Sequence, residues 1–246
     1  MTAASHLRKA SSWIRWEPTA DTVVAVITAI CMIPLYFLSV HAQGILNTVA
    51  TIAQMVFLAV IVPVWYLVWH RKRPLSELGI TGKYWLPSLL TGIALSAFMS
   101  VQLFSTYTGT ELLPHLLVNA CMFWEPFFVF GWLLLCFDRA FGIIPGILFS
   151  AIAFGSYHLG TYPIVQVAML ITMGIFFGLI FRMTGNLLIL WPFAWMISSG
   201  IGTALGGMVF GWDSVLTSAA ILIISLAFIG YTAWKIPTRQ MTDGSG

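Results

Sequence analysis

Charge is scarce in this sequence. Only 8% of its 246 residues are Asp, Glu, Lys or Arg, and 59% are hydrophobic, whereas a soluble domain carries about 25% charged residues. This composition excludes an ordinary soluble enzyme and predicts an all-α, polytopic integral membrane protein in contact with the lipid bilayer. The net charge of +3 is better explained by basic residues that set the membrane topology than by nucleic acid, so no nucleic-acid partner is predicted.

Metal-binding patterns are also missing. The three cysteines lie in apolar segments rather than in a polar loop where an extracellular disulfide would form, and their spacing fits no metal site. They are Cys31, Cys121 and Cys136. The sequence has no His-Glu-x-x-His motif, and a zinc site needs three or four ligands. We therefore expect no metal and no cofactor. His41, His70 and His115 fall near predicted span ends, where an interfacial role is expected.

Long polar loops are absent as well. If each stretch of about 20 apolar residues is a bilayer-spanning helix, the sequence predicts about eight transmembrane helices. They lie near residues 20–40, 45–69, 85–105, 112–136, 142–160, 162–181, 186–210 and 214–234. Residues 1–246 are thus expected to form one membrane domain, with tails at 1–20 and 236–246. Basic residues precede the first span, as in a signal peptide, but no small-residue cleavage pattern follows, so a retained span is expected.

The eleven Lys and Arg residues are unevenly distributed. With eight spans, all of them fall before the first span, after the last, or in the connections after even-numbered spans. The connections on the opposite side, such as 41–44 and 211–213, are short and contain no Lys or Arg. The positive-inside rule makes the charged side cytoplasmic. This predicts cytoplasmic N- and C-termini, and we expect the plasma (inner) membrane of a prokaryote.

One carboxylate lies in the middle of a predicted span. A carboxylate in hydrocarbon costs about 2.5 kcal/mol or more, so Glu125 should face the bundle interior and have a partner. His158, on the next span, is the obvious candidate. At a rise of about 1.5 Å per residue, these two residues can share a layer with Trp195 and Ser199, which are four apart on one face of the seventh span.

Four segments together resemble a known family. They are Pro74-Leu75-Ser76-Glu77-Leu78-Gly79, Glu125-Pro126-Phe127-Phe128-Val129-Phe130-Gly131-Trp132-Leu133, Phe154 to His158, and Gly185-Asn186-Leu187-Leu188. In this order they are similar to the CAAX prenyl endopeptidase and bacteriocin-processing family, also called CPBP or Abi, of which this would be a degenerate member. The resemblance implies a core domain at about 74–210. It also implies that Glu125 and His158 are the catalytic residues that activate a water.

The rest of the family pattern differs here. The pattern is Glu-Glu-x-x-x-Arg, then Phe-x-x-x-His, then His-x-x-x-Asn, and its last two residues stabilise the oxyanion. Pro126 replaces the second Glu, Phe130 the Arg, Trp195 the last His and Ser199 the Asn. An indole N–H and a hydroxyl are also donors, so the last two are oxyanion or substrate-pocket candidates, although the bulkier Trp195 could instead fill the cavity. A single carboxylate remains, either neutral and hydrogen-bonded to His158 or paired with it as an ion.

Three functions stay open. The first is a CPBP-type intramembrane endopeptidase that hydrolyses a peptide or prenylated peptide with a Glu/His-activated water. The second is a catalytically inactive relative that acts as a scaffold, immunity or regulatory partner of a membrane protein. In that case Glu125 and His158 form a structural hydrogen bond. Trp195 and Ser199 then serve only the packing of the helices. The third, a small-molecule transporter, is disfavoured because the sequence has one mid-span acid and no clear repeat.

Overall fold

A computed structural model describes residues 13–106 and 112–236. Within these residues the fold is all-α, with no strand beyond one isolated bridge between Leu159 and Tyr162. The main helices are α1 Ala20–His41, α2 Gly44–His70, α3 Trp85–Thr106, α4 Leu112–Phe141, α5 Ile143–Ser156, α6 Ile164–Thr184, α7 Phe193–Leu205 and α8 Trp212–Lys235. Helices suit these apolar runs because a helix satisfies its backbone polar groups internally, which lipid cannot do.

Six helices in the described part of the chain are long and apolar enough to cross a bilayer, namely α1, α2, α3, α4, α6 and α8. The other two, α5 and α7, are shorter apolar helices. The predicted all-α membrane fold is confirmed, and the protein is an integral membrane protein. The predicted count of eight crossing helices stays a prediction, because α5 and α7 are too short to meet the same length criterion. Helix α5 ends at Ser156, and α7 begins only at Phe193, after a 3₁₀ turn at Leu187–Ile189.

Helix α4 forms the centre of the bundle and is broken near its middle. Most of its residues are buried, in contrast to the other long helices. Its halves are Leu112–Cys121 and 124–141, so Glu125 lies in the first turn of the second half. Pro126 favours the break because it has no N–H to donate to the carbonyl one turn earlier. The following turns, Phe127–Leu133, are π-helical. The predicted span 112–136 is therefore longer and discontinuous.

Ion pairs join the helix ends at one end of the bundle, which we call the charged end. The pairs are Asp21 with Arg71 and Arg73, Glu77 with Arg73 and Arg139, and Asp138 with Arg182. They link the start of α1, the connection after α2 and the ends of α4 and α6. The described ends of the chain also lie here. The Arg15 N–H donates to the Phe141 carbonyl at 2.8 Å, and Ile236 lines a surface pocket with Pro74.

Three described connections meet at the opposite end, namely 42–43, 157–163 and 206–211. We call it the uncharged end because these connections contain no Lys or Arg. His41, at the end of α1, places its Nε2 3.1 Å from the carbonyl oxygen of Gly160 in the connection after α5. In the same connection, Tyr162 directs its hydroxyl to the Met208 sulfur, 3.5 Å away, in the connection after α7. The described connections of the two classes therefore lie at separate ends of the bundle.

His115 does not have the interfacial position that its place near a span end predicted. It is buried in the first half of α4, against which α7 packs. Its Nε2 lies 3.0 Å from the Gly200 carbonyl oxygen and 2.5 Å from the Thr203 hydroxyl oxygen. The prediction was wrong because nearness to a connection in sequence does not reveal that a neighbouring helix covers the residue.

Candidate active site between helices four, five and seven

Glu125 is buried at the break in α4, and both of its carboxylate oxygens accept hydrogen bonds. Only 5% of the residue is exposed. Oε1 accepts the Tyr157 hydroxyl at 2.8 Å, and Oε2 accepts the indole N–H of Trp195 at 3.2 Å. The two donors come from the end of α5 and from α7. Because buried polar groups need partners, these bonds allow an acid to remain in an apolar interior and fix its orientation.

His158 lies two residues beyond the end of α5 and faces Glu125. Its Nδ1 is 2.8 Å from the carbonyl oxygen of Phe154. A carbonyl only accepts, so Nδ1 is the donor and Nε2 of the neutral ring is an acceptor. Nε2 lies 3.8 Å from Glu125 Oε1, which is too far for a direct hydrogen bond. The described residues contain no group of three or more His, Cys, Asp or Glu side chains that could hold a metal ion.

Both side chains line a cavity of about 200 Å³. Since a water occupies about 30 Å³ in the liquid, the cavity has room for several waters or for part of a peptide. Its inner end is formed by the buried rings of Phe154, Phe177 and Trp195. Its outer end is formed by residues that are partly or well exposed, Ser39, Val40, Tyr162, Met208 and Phe210. The walls are mostly apolar.

All four residues predicted for the site, Glu125, His158, Trp195 and Ser199, line this cavity. Trp195 donates its N–H to Glu125, so it could serve an oxyanion only by leaving the carboxylate. The Ser199 hydroxyl donates to the Met122 sulfur at 3.4 Å. Because a thioether is a weak acceptor, Ser199 is the more available donor of the two.

Three tyrosines that were not predicted contribute to the site, and one of them is Tyr162, whose ring centroid lies 5.3 Å from that of His158. Tyr157 holds Glu125 through its hydroxyl, and the ring of Tyr36, on α1, packs against the His158 ring with centroids 4.6 Å apart. Tyr157 adjoins His158 in the sequence, so its position beside the motif was the available signal. No comparable signal links Tyr36 to the site, because α1 is remote in sequence.

Aromatic rings occupy two positions at which the family pattern has charged or polar residues. Phe130 and Trp195 pack with ring centroids 5.7 Å apart. Phe130 also lies 6.5 Å from Phe177 and 6.4 Å from Phe181. All four rings are buried, and we call them the aromatic layer. The layer lies between Glu125 and the charged end, since Phe130 is farther along α4 and Phe181 precedes Arg182. Two of its rings, Phe177 and Trp195, line the inner end of the cavity, and Phe130 and Phe181 pack behind them.

Comparison with known families supports the resemblance seen in the sequence. Residues 110–198 match the family model described as Rce1-like, Type II CAAX prenyl endopeptidase Rce1-like. The matched range contains Glu125, His158 and Trp195 and ends one residue before Ser199. The resemblance is confirmed over this range. No curated protein and no solved structure matches the chain.

Proposed function

Because residues 110–198 match the Type II CAAX prenyl endopeptidase family, we propose that the protein is an intramembrane endopeptidase. Glu125 and His158 activate a water that hydrolyses a peptide bond. One observation carries the proposal: a carboxylate oxygen and an imidazole nitrogen face each other 3.8 Å apart in a cavity that can admit water and part of a peptide.

The geometry favours one position for the water. Ionised Glu125 Oε1 and His158 Nε2 are both acceptors, so a water within hydrogen-bond distance of both donates one O–H to each. Its lone pair then points toward a peptide carbonyl in the cavity. As the new C–O bond forms, one proton of the water passes to Glu125. That proton moves to the amine nitrogen as the C–N bond breaks. General acid–base catalysis of this kind contributes about 10²- to 10⁴-fold in rate.

The neighbouring side chains have supporting roles. Tyr157 and Trp195 hold the Glu125 carboxylate from two directions, so it does not need to reorient during the reaction. We assign Ser199 as the oxyanion donor because its hydroxyl lines the cavity and its present partner is only a thioether. Trp195 forms the substrate-pocket wall beside the carboxylate.

Hydrolysis by the purified protein tests this function. A fluorogenic peptide library, with and without a farnesyl group on cysteine, is incubated with the parent and with Glu125→Gln and His158→Ala. Both variants should lose at least about 100-fold of the parent rate. Matched controls are Glu77→Gln at the charged end and His70→Ala at the exposed end of α2, which should keep the rate. Equal cleavage by parent, Glu125→Gln and His158→Ala would reject the mechanism.

A catalytically inactive relative is the second candidate, favoured by a specific observation. The Trp195 N–H is already engaged by Glu125, and Phe130 stands at the position of the family's Arg, so the site has fewer free donors than the family pattern. Such a protein would be a scaffold, immunity or regulatory partner that binds a polypeptide without cleaving it. A photo-crosslinker at Ser199 would then capture a defined membrane protein, and no member of the library would be cleaved.

We also propose a topology. Both described ends of the chain adjoin the charged end, and the Lys and Arg residues within the described ranges cluster toward that end, so the positive-inside rule makes it cytoplasmic. The protein would then lie in the plasma (inner) membrane of a prokaryote with both termini in the cytoplasm. Cleavage of tags at either terminus by protease added to inverted vesicles, but not to intact cells, tests this arrangement.

A further inference from the structure

The site cavity extends toward the uncharged end. Along α7 its lining residues run from Trp195 through Ser199 to Thr203, which is about 12 Å at 1.5 Å per residue. Beyond α7 the lining continues to Met208 and Phe210, in the connection before α8. Exposure rises in the same direction, because Trp195 is 2% exposed whereas Met208 and Phe210 are partly exposed. The mouth of the cavity therefore lies among the connections without Lys or Arg.

The cavity is closed toward the charged end. The aromatic layer crosses this path, and Phe130 within it has no exposed surface. Among the described residues that line the cavity, none belongs to an ion pair of the charged end or to the connections that join there. A polar molecule approaching from the charged end would have to displace packed rings, whereas one approaching from the other end meets partly exposed side chains.

An apolar groove between α6 and α7 leads into the same cavity. The groove has a volume of about 400 Å³ and shares Tyr162, Leu170, Met173, Phe177 and Gly202 with the cavity. Its rim includes three apolar side chains at the protein surface, Met169, Phe176 and Leu205, each exposed by 45% or more. The groove exists because α7 packs mainly on α3 and the first half of α4 and touches α6 little.

We infer that the Glu125–His158 site takes its substrate from the side of the membrane opposite the charged end, the extracytoplasmic side. The substrate class that fits is an apolar peptide segment at the outer surface of the bilayer, with its apolar side chains in the groove and its backbone in the cavity. The substrate half of this inference rests on the proposed peptidase function. The direction of access rests instead on the proposed topology, together with the position of the cavity mouth and the aromatic layer.

Cysteine accessibility tests the direction of access. Single cysteines are introduced in a chain whose three native cysteines are replaced by Ala. The labelling of the parent, which keeps its native cysteines, is measured for comparison. Ser199→Cys and Met208→Cys report on the cavity. Lys72→Cys and Asp213→Cys, both at exposed positions, mark the charged and uncharged ends. A charged, membrane-impermeant thiol reagent is applied to intact bacterial cells and to inverted vesicles.

The expected pattern has two parts. In intact cells the reagent labels both cavity variants, Met208→Cys and Ser199→Cys, as it labels Asp213→Cys. In inverted vesicles these three variants are not labelled. Lys72→Cys shows the reverse and is labelled only in inverted vesicles. Labelling of the cavity cysteines only from the Lys72 side, or from neither side, would overturn the inference, as would labelling of Lys72→Cys in intact cells. The pattern should be unchanged by Glu125→Gln, so failure of the access direction and failure of hydrolysis are separate results.

Discussion

Replacing Tyr157 by Phe removes one hydroxyl from the site and keeps the ring. Tyr157 is fully buried, and its hydroxyl donates to Glu125 Oε1, the oxygen that also faces His158. The ring contacts with Tyr36 and Phe154, at 5.3 and 5.8 Å between centroids, do not involve the hydroxyl. The substitution therefore isolates a single hydrogen bond to the proposed catalytic carboxylate.

The size of the effect follows from that bond. A hydrogen bond to a charged group contributes about 1.5–3 kcal/mol, and each 1.36 kcal/mol in the barrier is tenfold in rate. If the bond holds Glu125 in its reactive position, Tyr157→Phe should lower kcat by roughly 10- to 150-fold. Tyr157 is not among the residues that line the cavity, so KM should change little. A selective loss of kcat indicates an interaction that matters in the transition state.

Tyr66→Phe is the matched control. Tyr66 is also buried, and its hydroxyl donates to Asp21 Oδ1 at 3.0 Å, at the charged end. Both variants lose a tyrosine–carboxylate bond and should lose similar stability in thermal unfolding in detergent. Only Tyr157→Phe should lower kcat. If Tyr157→Phe keeps the parent kcat, or if both variants slow equally, Tyr157 does not position Glu125 for catalysis.

Two further predictions concern packing. Gly146→Ala should destabilise the protein by about 1–3 kcal/mol, because overpacking is costly and the added Cβ would lie 2.7 Å from the Asp138 backbone. Gly230→Ala is the control: its added Cβ would have no neighbour within 4 Å, so this variant should unfold at the same or a higher temperature than the parent. Phe130→Ala should lower the unfolding free energy by about 3–5 kcal/mol and open the aromatic layer, so that Ser199→Cys in that background reacts from the charged end as well. Unchanged one-sided labelling would show that this layer is not the barrier.

The sequence was informative about Glu125 and His158 because each is a titratable residue in an otherwise apolar segment. A carboxylate in an apolar run needs an interior partner, which singled out Glu125, and the order of Glu125 before a Phe-x-x-x-His segment singled out His158. Their meeting in one cavity agrees with this expectation. The sequence could not show that their separation excludes a direct hydrogen bond, because that distance depends on the break in α4 and on where α5 ends.

The sequence by itself determined the all-α membrane fold and the grouping of Lys and Arg, because length, hydropathy and charge are properties of the chain. Only the tertiary structure decided which side chains turn toward Glu125, that α7 buries His115, and at which end the cavity opens. The physical reason is that lipid and protein interior are both apolar. The rotation of each helix about its own axis therefore leaves little hydrophobic pattern in the sequence. The packing of neighbouring helices determines this rotation.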